Sequence, residues 1–115
     1  MHEMSVAQSV LESVQPVLRE RPGARLRKIG LRIGAWSGVD SGSLSFCFEC
    51  LVKDTPWEGV GLEIAHCPVR RLCLRCQKEF TAEDFDSDCP RCGPGESRFA
   101  GGDELEVAYV ELEEA

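Results

Sequence analysis

The chain has 115 residues, 43% of them hydrophobic, and a formal charge of −7 from 13 basic and 20 acidic residues. That length suits one ordinary core, or one small core with a metal-stapled module. The charge argues against a general phosphate-backbone binder, and the apolar runs fall far short of the roughly 20 residues of a membrane span.

Val6, Val10, Leu11, Val14, Val17 and Leu18 recur at helical spacing, which predicts an amphipathic helix over about residues 3–20. Gln8, Ser9, Glu12, Ser13 and Gln15 interrupt its apolar positions and no basic region precedes it, so it does not read as a signal peptide. A cytoplasmic location is the expectation. Pro16 should kink the last turn, and Pro22-Gly23 ends the element. Over residues 26–34 the period changes to two, with Ile29, Leu31 and Ile33 opposite Lys28, Gly30 and Arg32, the pattern of a half-buried strand.

Asp40 or Ser41 can cap a second helix carrying Leu44, Cys47, Phe48 and Leu51 on one face, closed by Lys53-Asp54-Thr55-Pro56. A second strand follows at about residues 60–66. A last one, at residues 104–112, has apolar residues on both faces, and this predicts a place inside the sheet. The expected fold is α+β: a small sheet of about three strands with two helices, plus an inserted zinc-ribbon-like module. The expected division is residues 1–66 with 103–115 as an α/β domain, and residues 67–102 as a metal module too poor in aliphatic residues to bury a core unaided.

Cys73-Leu74-Arg75-Cys76 and Cys89-Pro90-Arg91-Cys92 lie twelve residues apart. Two cysteines separated by two residues can curl around one cation, and two such knuckles complete the tetrahedron of a closed zinc site. Gly93 can supply a positive φ for the tight turn. Arg75 and Arg91 are placed to offset the charge of a tetrathiolate. A redox dithiol needs one exposed pair rather than two complementary ones. A rubredoxin-like iron site has a longer insert between its knuckles, and a catalytic zinc keeps an open position. Structural zinc on Cys73, Cys76, Cys89 and Cys92 is the reading that fits. Cys47, Cys50 and Cys67 are expected to be buried thiols acting as small apolar residues.

Met1-His2-Glu3 at a free N-terminus is a chelator, because the α-amine, the His2 amide nitrogen and His2 Nδ1 form fused rings around one metal. That nitrogen-rich planar set suits nickel(II) or copper(II). A methionine followed by a residue as large as histidine is generally retained. This tripeptide opening an amphipathic helix, Arg32-Ile33-Gly34-Ala35 at a strand end, Phe46-Cys47-Phe48-Glu49 in a second helix, and the paired cysteines together resemble the HypA/HybF family. The resemblance extends to the closing strand with Leu105 and Val107, and so covers essentially the whole chain in order.

The resemblance implies a nickel metallochaperone that binds nickel(II) as transferable cargo at Met1, His2 and Glu3. It implies delivery to the large-subunit precursor of nickel-iron hydrogenase, alongside a nickel-handling GTPase, with structural zinc on the four paired cysteines. Some relatives place histidines beside the zinc cysteines; this chain has none there. The fourth nickel ligand stays open among the Glu3 carboxylate, water, His66 and a partner's donor. His66 itself reads as a surface residue at a strand end. No general base, nucleophile or phosphate loop is apparent, so an enzyme is not expected. A zinc-ribbon adaptor for protein or nucleic acid is the alternative function. Against its nucleic-acid form, six basic residues between positions 67 and 99 are balanced by six acidic ones. A small electron carrier would need iron.

Overall fold

The computed structural model describes residues 2–84 and 87–114. Helix α1 (Glu3–Glu20) buries Val6, Ala7, Val10, Leu11 and Val14 along one face and continues through Pro16. Gly23, at φ 86°, turns the chain into β1 (Arg25–Gly34). The Asp40 carboxylate caps α2 (Ser41–Val52) by accepting the Gly42 N–H at 3.1 Å. Leu44, Phe48 and Val52 are its buried positions. Strands β2 (Gly61–Cys67), β3 (Val69–Cys73), β4 (Glu79–Ala82), β5 (Ser97–Gly101) and β6 (Leu105–Glu113) complete the chain.

Two three-stranded sheets result, in the orders β2-β1-β6 and β4-β3-β5. In the first, β1 runs parallel to β2 and antiparallel to β6, so β1-α2-β2 is a crossover unit in which a helix joins parallel strands. Both helices pack on one face of this sheet, around Ile29, Leu31, Ile33, Leu44 and Phe48. The other face is polar, with Lys28 joined to Glu63 and Arg32 to Glu106.

The last strand lies at an edge of its sheet, not inside it as its two apolar faces suggested. Gly30 pairs with Tyr109 but Leu31 pairs with Val107, so Ala108 is an extra residue in β6. Such a bulge reverses side-chain parity. Leu105 and Val107 before it, and Val110 and Leu112 after it, therefore all reach the same core. Arg27 plays the same part in β1, where Leu26 and Ile29 are both buried although three residues apart.

The cysteine segment contains a second sheet that its composition did not suggest. Its strands are only four or five residues long, and their buried side chains are those of Val69, Cys73, Phe80 and Ala82. The whole molecule is elongated, measuring 54 × 25 × 16 Å. Helix α1 returns directly into β1, and the crossover helix α2 must likewise oppose β1. The start of α1, the end of β1, the end of β2 and the start of β6 therefore share one end of the first sheet, and the second sheet is attached there. No helix among the described residues is long and apolar enough to cross a membrane.

Candidate metal centre

Cys73 ends β3, and a turn through Gln77, at φ 59°, reverses the chain. The Gln77 N–H donates to the Cys73 carbonyl at 2.9 Å and the Cys73 N–H to the Lys78 carbonyl at 3.0 Å, which fixes the first knuckle. In the second, the Gly93 N–H donates to the Cys89 carbonyl at 2.8 Å, and Gly93 has a φ of 72° that suits glycine.

These turns bring the sulfurs of Cys73, Cys76, Cys89 and Cys92 within 4.8 Å of one another. Cys76 Sγ and Cys89 Sγ are 3.8 Å apart. A tetrahedron with zinc–sulfur bonds of about 2.3 Å has an edge of about 3.8 Å, so the donor set fits zinc in both chemistry and size. Four protein sulfurs would fill the shell. Cys73 and Cys89 are buried and pack with Phe80, while Cys76 and Cys92 are half-buried. Phe80 escaped the sequence reading; its signal is the alternation of Glu79-Phe80-Thr81-Ala82 just beyond the first knuckle.

The two arginines act differently. The Arg91 guanidinium beside Cys76 favours its charged form and holds its pKa down at about 6. It also donates to the Glu79 carbonyl at 3.3 Å. Arg75 instead donates to the Cys92 carbonyl at 3.3 Å. Burial pushes the Cys92 thiol up to about 12.

The remaining cysteines are less buried than expected. Cys50 is exposed, and Cys47 and Cys67 are half-buried. Helical geometry alone explains Cys50, since its position falls off the Leu44–Phe48 face of α2. Met1 lies outside the described residues. His2 is exposed at the N-cap of α1, with extended backbone and no side-chain capping bond. Glu3 is half-buried in the first turn, and His66 is exposed near the end of β2. Among the described residues, His2, Glu3 and His66 are not gathered into a ligand cluster as the four cysteines are.

Residues 1–112 match the family of hydrogenase/urease nickel-incorporation metallochaperones, HypA. The chain belongs to the HypA family. HypA proteins are metallochaperones, not enzymes. The hydrogenase maturation factor HypA of Geobacter metallireducens is 40% identical over 113 residues, covering 98% of this chain and 100% of that protein. HypA of Chlorobaculum parvum is 35% identical over the same shares. The solution structure of the nickel metallochaperone HypA from Helicobacter pylori superimposes with a TM-score of 0.67 at 20% identity, over 100% of both chains. A second HypA solution structure gives 0.71 at 20% identity, over 97% of this chain and 96% of that one. These two likenesses establish the HypA fold for this chain.

Proposed function

We propose that this chain binds nickel(II) at Met1, His2 and Glu3 and delivers it to the large-subunit precursor of nickel-iron hydrogenase. The observation that carries this reading is the family match across residues 1–112. The state of His2 supports it: the imidazole is exposed and makes no capping bond, so binding a metal breaks no side-chain cap. The amine and the His2 amide nitrogen supply two donors in one plane, the imidazole or the next amide a third. An intrinsic shell left incomplete suits a metal that must be released. A nickel-handling GTPase is the expected partner in delivery, and the cytoplasm the expected compartment.

Residues 1–66 with 103–115 form the nickel-carrying domain in this account, and residues 67–102 a zinc module. Zinc on Cys73, Cys76, Cys89 and Cys92 is structural and supplies chain closure to a segment with little core of its own. Structural zinc of this kind contributes about 10–16 kcal/mol in small peptides. Nickel transfer tests the reading directly. Nickel-loaded protein is mixed with metal-free large-subunit precursor and the GTPase, and the nickel content of the re-isolated precursor is measured. Gain of nickel by the precursor supports the proposal; nickel that stays on the chain, or that reaches the precursor equally fast from free solution, contradicts it.

A further inference from the structure

Two-module proteins joined by short linkers are expected to move about them unless something fixes the joint. Here the two crossing segments, residues 67–69 and 101–104, are both stitched to the end of β1. The Ala35 N–H donates to the Cys67 carbonyl at 2.9 Å, the Trp36 N–H to the Gly102 carbonyl at 2.6 Å, and the Gly34 N–H to the Glu104 carbonyl at 2.8 Å.

The Glu104 side chain closes this joint. Its carboxylate is only 13% exposed. Oε1 accepts the Gly102 N–H at 2.9 Å, and Oε2 accepts from Arg70 Nη2 on β3 at 3.1 Å, with Arg32 of β1 3.9 Å away. One carboxylate thus faces a guanidinium from each sheet. Arg70 is itself anchored to Glu79 on β4. Also across the joint, the rings of Trp36 and Phe99 stack at 5.9 Å and 11°. Each of these rings is about 40% exposed, at 39% and 40%.

We infer that Glu104 is a positioning residue: by bridging Arg70 and Arg32 across the joint, it locks the cysteine-bearing sheet in one orientation against the end of the first sheet where α1 begins. Charge-assisted hydrogen bonds shielded from water hold geometry better than exposed pairs. The lock holds the start of α1 and the cysteine module in one fixed relation. Its use in nickel delivery rests on the function proposed above, but the lock itself is measurable without nickel.

Residual dipolar couplings on the full, zinc-loaded chain test it. The parent should fit one alignment tensor for both sheets. Glu104→Ala should need two, with each sheet still fitting its own tensor and zinc content unchanged. Arg70→Gln should separate the tensors too, and Glu104→Gln, which keeps the acceptor for Gly102 but not the charge, should fall between. A purely local structural role would degrade the fit within a sheet rather than between sheets. Separate tensors in the parent would overturn the inference, as would a single tensor retained in both Glu104→Ala and Arg70→Gln. Nickel affinity at the N-terminus is expected to match the parent in every variant, so a failure of the lock is distinguishable from a failure of nickel binding.

Discussion

Gly34 and Gly102 approach so closely that a Cβ on Gly34 would collide with the Gly102 carbonyl. Both sides of that contact are backbone, so neither can swing away as a side chain would. The glycine of the Arg32-Ile33-Gly34-Ala35 motif therefore has a steric reason: it lets the segment entering β6 cross the end of β1. Gly34→Ala should destabilise the protein by about 1–3 kcal/mol, the usual cost of overpacking. Urea denaturation should show a lower midpoint with little change in slope. An unchanged midpoint would mean that the crossing segment is free to move.

The zinc assignment predicts about one zinc per chain in colourless purified protein, since two knuckles build one four-sulfur site. Cys73→Ser or Cys92→Ser should lower zinc retention and broaden the amide signals of β3, β4 and β5. Signals from α1, α2 and β1 should persist, because their core contains none of the four ligands. Metal analysis and amide spectra of the same samples check both halves. Stoichiometric iron with visible absorption would overturn the assignment.

The acid limb of stability should carry a signature of Glu104. Its carboxyl lies below the usual carboxylate range, because its own N–H, the Gly102 N–H and Arg70 all favour the charged form and together outweigh burial. A group whose folded pKa is depressed stabilises the fold above its unfolded pKa, about 4.3 for glutamate. That contribution is lost as pH falls through the lower folded value. Denaturation of the parent and Glu104→Gln between pH 6 and pH 2.5 should show the parent more stable at the top of the range, with the gap closing towards the bottom. Both proteins share the acid loss of thiolate ligands, so the difference isolates this carboxylate. A gap that is constant across the range would contradict the account.

Much of the fold was legible because its signals are periodic. The α1 face and the alternation of Ile29, Leu31 and Ile33 in β1 follow from spacing, and residue type left Asp40 or Ser41 as the cap of α2, which the structure gives to Asp40. What the sequence hid is what breaks a period. The extra residue Ala108 moves Val110 and Leu112 to the core side, so a half-buried edge strand read as one buried on both faces. β3 was hidden because Arg70 and Arg71 sit between its buried ends Val69 and Cys73, where an apolar alternation would have marked it. At the site, the cysteine spacing named four residues that the fold brings together. Spacing could not say that Arg91 rather than Arg75 acts on the Cys76 thiol, since both occupy the same place in their knuckles. Nor could it pair Arg70 with Glu104, which are 34 residues apart.

The central claim concerns the N-terminus, because the proposed nickel site uses the free amine as well as a side chain. His2→Ala removes the imidazole and keeps the amine. A single added N-terminal glycine turns the Met1 amine into an amide and shifts His2 within the chelate. Protons compete with nickel for both groups, so titration should be made at fixed pH near 8. Calorimetric titration of nickel into untagged parent, His2→Ala and glycine-extended protein, each with its zinc content verified, is the most direct measurement. The account predicts that His2→Ala abolishes specific nickel binding and that the extension weakens it strongly, with zinc content and helical signal unchanged in both. Nickel binding by the His2→Ala protein equal to that of the parent would contradict it.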